Sequence, residues 1–243
     1  MNIGGGINIG GGISIKTELS LSYVTTGLQL HLDAGNTTSY PGTGSTWTDL
    51  ISSKAFTLSG SPTYSSANGG YLNFVPSNSQ YAYSSTSLPS LSTWTVEAWH
   101  YYNGTNNGTE PCIVTELYPG GTNKINFSLG SDTGSTNNLQ NGFFDGAWHA
   151  TSSSYTLTAN AWYHIVGTYD GTTIGLYVNN SLTQSAAYTG TPTSSQGGIR
   201  LMRRWDNPDY WGGYLSIVRI YNAALTTAQI NQNFQAQRSR FGI

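Results

Sequence analysis

Eleven aspartates and glutamates and nine lysines and arginines are spread through 243 residues, so a site built from charged groups has few candidates to draw on. Retaining hydrolysis of a glycosidic bond needs two carboxyl groups about 5 Å apart, which a strand supplies from positions two or four residues apart. Glu97, within Trp94-Thr95-Val96-Glu97-Ala98-Trp99-His100-Tyr101, has no Asp or Glu at either spacing. It is expected to be a structural carboxylate, satisfied by backbone groups or by Arg219. Glu110 and Glu116 are separated by Pro111 and an expected change from loop to strand, so a shared face cannot be assumed. His31, His100, His149 and His164 lie in aromatic strand patterns with no nucleophile elbow beside them, and no His or Cys spacing suits zinc. Cys112 is the sole cysteine, which excludes an intrachain disulfide and fits a small buried hydrophobe. Together these features predict a protein that is not an enzyme.

One loop carries more. Asp206, Asn207 and Asp209 bring three oxygen-bearing side chains within four residues, and Pro208 stiffens the segment. Hard oxygen ligands of this kind suit calcium, and plain Asx-turn chemistry accounts for them equally well. The same loop holds Trp205, Tyr210 and Trp211, and a second candidate surface is Trp148 with His149. Sugars stack their C–H faces on aromatic rings while hydroxyls seek polar side chains, so these four rings are candidates for a glycan site. The competing expectation is that they fill the core.

Composition limits the partners. Charged residues make up 8% of the chain and the net charge is -2, so no basic stripe exists to hold nucleic acid. Seven Trp and seventeen Tyr argue for a folded core and against disorder. The N-terminus lacks the basic and apolar regions of a signal peptide, and no apolar run reaches about 18 residues. The expectation is a soluble chain with no membrane partner, not exported by the general secretory route.

The elements that must position these residues read mainly as strands. Leu28, Leu30 and Leu32 alternate with Gln29 and His31 up to Asp33, and the Trp94–Tyr101 run has bulk on both faces. Trp162–Tyr169 and Thr173–Val178 flank Asp170-Gly171, a strong hairpin signal. Near the end, Leu215, Ile217 and Arg219 alternate against Tyr214, Val218 and Ile220. A short helix follows, capped by Thr226 or Thr227, with Ile230 and Phe234 on one face. About a dozen strands and one helix predict an all-β, two-sheet antiparallel architecture.

Ahead of this stands an arm. Asn2-Ile3-Gly4-Gly5-Gly6-Ile7 is followed at once by Asn8-Ile9-Gly10-Gly11-Gly12-Ile13. In an extended chain Ile3, Ile7, Ile9, Ile13 and Ile15 share one face and the other is nearly bare, so the segment gains little from folding alone. It reads as a docking arm that adds to a partner's sheet edge; a flexible leader, or a strand folded back on its own domain, would carry the same sequence. The predicted division is an arm over 1–26 and one domain over 27–243.

Three stretches in order resemble the laminin-G-like, pentraxin-related branch of the concanavalin A-like lectin and glucanase superfamily. They are Trp94 to Trp99, Trp162 to Gly171 running on to Tyr177-Val178-Asn179-Asn180, and Gly213 to Thr226. The resemblance spans about residues 27 to 236 and implies a jelly-roll sandwich, in which calcium often lies between loops. The Glu-x-Asp-x-x-Glu strand of that superfamily's glucanases is missing. The Gly-rich arm with the opening from Leu32-Asp33-Ala34-Gly35-Asn36 to Trp47-Thr48-Asp49-Leu50 resembles virion structural proteins of tailed bacteriophages. That likeness implies a decoration protein of capsid-cement or head-fibre type on the exterior of the particle, homo-oligomeric and anchored to capsid or tail proteins by its arm. The alternative is a tail or fibre adhesin that recognises glycans, and a glycoside hydrolase ranks below both.

Overall fold

Apolar and polar residues alternating with a period of two drive most of the chain into strands, and Gly, Asn and Pro at the turns limit their length. The computed structural model describes residues 22–116, 124–131, 134, 137–151, 155–194 and 196–243. The first half supplies β1 (Leu28–Asp33), β2 (Thr46–Thr48), β3 (Ala55–Ser59), β4 (Thr63–Ser65), β5 (Tyr71–Phe74), β6 (Tyr81–Ser84), β7 (Trp94–Tyr102) and β8 (Cys112–Glu116). The second supplies β9 (Ile125–Ser131), β10 (Asn138–Phe144), β11 (Trp148–Ala150), β12 (Tyr155–Thr156), β13 (Ala161–Tyr169), β14 (Thr173–Val178), β15 (Ser181–Ala187), β16 (Ile199–Leu201) and β17 (Gly213–Tyr221). Helix α1 (Thr227–Phe241) follows.

The strands form two sheets. The first runs β15-β14-β13-β7-β17-β5-β4, with β1 also on β17; the second runs β11-β10-β9-β8-β16-β6-β3-β2, with β12 also on β10. Pairing is antiparallel throughout both, and the sheets stack as a jelly-roll sandwich. Trp94, Val96 and Ala98 of β7 pack between the sheets with Phe127 and Leu129 of β9. Gly167 leaves room for Asn141, since a Cβ there would stand 2.2 Å from the Asn141 amide oxygen. That amide donates to the carbonyls of Thr168 and Gly175, tying the second sheet to the first through the core.

The other face of β7 lies under α1. Phe234 and Phe241 stack on Trp99 at 5.9 and 4.4 Å between ring centres. Thr226 caps the helix in a reciprocal box with Gln229, and Gly242 ends it in the left-handed region. At fifteen residues α1 is longer than the short helix expected, because Phe241 extends the buried stripe of Ile230 and Phe234 past a run of polar residues. Beneath it Glu97 is fully buried. Its carboxylate accepts from Arg219 Nη1 at 2.9 Å, His164 Nε2 at 3.0 Å and Asn233 Nδ2 at 2.6 Å. Arg219 is thus the partner expected from the sequence, and the helix adds Asn233.

Two sequence expectations shift. A bulge between Leu215 and Ile217 breaks the simple alternation of β17, so Leu215 joins Val218 and Ile220 in the inter-sheet core while Ile217 packs under the helix. Residues ahead of 27 also belong to the packed unit. The Val24 amide donates to Asn233 Oδ1 at 2.7 Å, and Tyr221 Oη donates to the Val24 carbonyl. Ile3, Ile7, Ile9, Ile13 and Ile15 lie outside the described residues.

Candidate functional site

After β16 the chain turns at Met202, whose φ is 62°, and makes an excursion that returns at Trp211. Arg203 pairs with Tyr210 and Asn106 with Trp211 as isolated bridges, so the loop is pinned to the segment before β8. Asn107 closes the pin, accepting from the Tyr210 amide at 2.7 Å and donating its own amide to the Tyr210 carbonyl. Asp209 accepts from the Thr109 and Glu110 amides, both at 3.1 Å.

This framework divides the aromatic candidates. Trp211 is fully buried and donates its indole N–H to His100 Nε2 at 2.9 Å. It has no face left for a ligand. Tyr210 is also buried, 6.1 Å from the Tyr81 ring with Arg203 against it. Trp205 and Trp148 stay accessible and come together, their rings 5.7 Å apart and inclined by 24°. Two surfaces that sequence distance separates by 57 residues are one. His149 points the other way, because neighbouring residues on a strand face opposite sides: its ring stacks on Tyr188 at 3.7 Å and its Nε2 meets Asp145 at 2.8 Å.

The indole pair borders a cleft of about 250 Å³ on the outer side of the second sheet. Its other walls are Ser131 of β9, Gln140 and Phe144 of β10, Glu110, and Arg204. Gln140 Oε1 accepts the Trp148 indole N–H at 3.2 Å, which holds the more exposed ring in place. The Arg204 guanidinium lies 4.7 Å over the Trp205 ring and fixes the other. Sequence reasoning passed over Arg204, Gln140 and Phe144, which carried no motif; the position of Arg204 directly before Trp205 was the available signal.

The acidic candidates converge on Arg204. Glu110 Oε2 lies 2.7 Å from Nη2, Asp206 Oδ1 lies 2.9 Å from Nε, and Asp209 Oδ2 lies 3.7 Å from Nη1. Asp206 also accepts the Asn207 amide at 2.8 Å, the Asx chemistry that was the alternative expectation. Asp206 and Asp209, two of the three oxygen donors that suggested calcium, thus turn to the Arg204 guanidinium, which already balances their charge. Among the described residues no group of three or more His, Cys, Asp or Glu is placed to hold a metal.

Elsewhere Cys112, the sole cysteine, is buried. Burial pushes the Cys112 thiol up to about 12, and its Sγ lies against Ser128. A second groove of about 490 Å³ lies between β13–β15 and the start of α1, but among its lining residues Tyr177 is the only ring.

Comparison with known proteins agrees with this architecture. Domain 4 of AbnA, a GH43 extracellular arabinanase from Geobacillus stearothermophilus solved with arabinotriose, superposes with a TM-score of 0.64 at 15% identity over 86% of this chain and 98% of that domain. Trypanosoma rangeli sialidase in complex with sialic acid matches with a TM-score of 0.62 at 16% identity, over 90% of this chain and 34% of the sialidase. The botulinum neurotoxin type G receptor binding domain matches with a TM-score of 0.63 at 14% identity, over 87% of this chain and 52% of that one. The chain thus spans nearly all of the arabinanase domain, a third of the sialidase and half of the toxin domain. At these identities the likeness is one of fold. No functionally curated protein matches by sequence. Residues 75–231, more than half of the chain, match a laminin-G-type family model, and the chain belongs to the concanavalin A-like lectin/glucanases superfamily.

Proposed function

We propose that the chain is a non-catalytic carbohydrate-binding domain whose ligand lies in the cleft that Trp148 and Trp205 border. The observation that carries this reading is the pairing of those two indoles, each held by its own polar anchor, over a cleft that also offers Glu110 and Gln140. Paired rings give a sugar apolar contact, and the polar groups beside them orient its hydroxyls. A similar domain of the arabinanase was solved with arabinotriose, which favours this use of the fold. The absence of catalysis is supported by Glu97, which lies buried beneath α1 in an ion pair with Arg219.

The test is a glycan array probed with the full chain and with Trp148→Ala and Trp205→Ala. The parent should bind a defined set of oligosaccharides, and each variant should bind them at least about tenfold more weakly, the worth of one lost stacking contact. A silent parent, or binding that ignores both substitutions, would remove the proposal.

A second reading concerns where the domain works. The repeat that sets Ile3, Ile7, Ile9, Ile13 and Ile15 on one face favours an arm that docks to another protein, and the phage-like opening favours a virion. In this reading the chain is a bacteriophage decoration protein or adhesin, tethered to capsid or tail proteins and exposing the jelly roll on the particle's exterior. Removing residues 1–15 should abolish incorporation into particles; retained incorporation would rule the arm out as the anchor.

A further inference from the structure

We infer that the cleft selects neutral, hydroxyl-rich sugars and rejects carboxylated or sulfated ones; this rests on the glycan-binding reading above. Nine lysines and arginines serve the whole chain, and among the described residues Arg204 is the one that lines the cleft. Its charge is already met by three carboxylates, those of Glu110, Asp206 and Asp209. A ligand anion would have to displace one of these partners and would then face the two that remain. The neighbouring arginines do not compensate. Arg200 Nη1 donates to the carbonyls of Arg204 and Trp205 at 3.1 and 3.0 Å, and Arg203 sits over the rings of Tyr81 and Tyr210. Lys124 is exposed one residue before Ile125, which pairs with Phe144, and it is not part of the cleft wall.

Hydrogen-bonding chemistry points the same way. The Glu110 carboxylate can only accept, and Gln140 spends one of its two amide N–H groups on the Thr151 carbonyl at 3.3 Å while its oxygen takes the Trp148 indole. The polar wall therefore sets the acceptor-only Glu110 carboxylate beside the Ser131 hydroxyl, a group that both donates and accepts. Sugar hydroxyls supply the donors such a wall needs, whereas a carboxylate or sulfate brings further acceptors and a negative charge. Stacking on Trp148 and Trp205 would serve both ligand classes, so charge is the term that discriminates.

The experiment uses the full chain at low ionic strength on an array that pairs neutral oligosaccharides with uronic-acid, sialylated and sulfated counterparts, followed by titration calorimetry on the best matched pair. Neutral members should bind, and their acidic counterparts should bind at least about tenfold more weakly, with the gap narrowing as salt screens the carboxylates. Glu110→Gln should narrow it too. Acidic glycans that bind as tightly as neutral ones, in a manner lost in Trp148→Ala, would overturn this inference and leave the glycan-binding reading standing, including where Lys124→Gln shows that lysine to be responsible. Silence towards both classes would remove the reading and the inference together.

Discussion

At the scale of single residues, the fate of each aromatic or ionisable group is decided by what lies opposite it. Trp205 and Trp211 occur in the same loop, yet Trp211 is sealed against His100 while Trp205 borders the cleft. The partners also set the His100 tautomer: the Tyr214 carbonyl can only accept, so Nδ1 carries the proton, and the Trp211 indole can only donate, so Nε2 is bare. Trp211→Ala should cost about 3–5 kcal/mol as a core truncation, read as a lower urea midpoint, whereas Trp205→Ala should change stability by less than about 1 kcal/mol. A small loss at Trp211 would contradict its placement. The buried ionisable groups predict acid sensitivity. Burial pushes the His100 imidazole down to about 3, and burial with the nearby Arg219 charge takes His31 to about 4, both from 6.5. Burial alone would raise the Glu97 carboxyl, but Arg219, His164 and Asn233 outweigh it and hold it near 2, against 4.5 when free. In each case the unfolded chain takes up its proton first as pH falls. The histidine contributions are whole above pH 6.5 and drain away towards 4 and 3, and that of Glu97 is whole above 4.5 and drains away towards 2. Thermal midpoints should therefore fall steadily from neutral pH into acid; a midpoint that rose on acidification would refute the assignment.

At the scale of elements, parity on a strand and packing on a helix do the sorting. On β11 the period of two sends Trp148 to the cleft and His149 to Tyr188, so adjacent residues serve different surfaces. On β17 a single bulge lets Leu215 rejoin Val218 and Ile220 in the core, an exception that a strict alternation cannot anticipate. Helix α1 depends on its first turn and on its joint with the sheet. Thr226→Ala removes the capping box and should cost about 1 kcal/mol of unfolding free energy, with no effect on glycan binding, since the cap lies on the opposite sheet from the cleft. Glu97→Gln leaves Arg219 buried without its counter-ion and should cost about 3–5 kcal/mol in denaturant unfolding. A loss under about 1 kcal/mol would mean that the ion pair contributes little to holding the helix down.

At the scale of the whole molecule, the sandwich is a platform covered by a helix on one outer side and bearing the indole cleft on the other. Among the described residues, contacts of the packed unit begin at Ser22, whose carbonyl accepts from Gln232, and a chain starting there should unfold within a few degrees of the 243-residue chain in a thermal scan. A large drop would show that earlier residues complete the domain. Much of this was legible in the sequence: alternation and the Asp170-Gly171 turn predict β13 and β14 closely, and Ile230 and Phe234 mark the buried face of α1. The cleft was legible only in pieces. Trp148 and Trp205 each stood out as candidates, but their meeting depends on β10, β11 and the loop after β16 being brought to one side of the second sheet. The sequence by itself determined the all-β class, the hairpins and the scarcity of charge, because these follow from local periodicity and composition. Tertiary structure alone decided which tryptophans face solvent, which carboxylates gather on Arg204 and where a ligand could lie, because those outcomes depend on contacts between residues far apart in the chain, which no local pattern encodes.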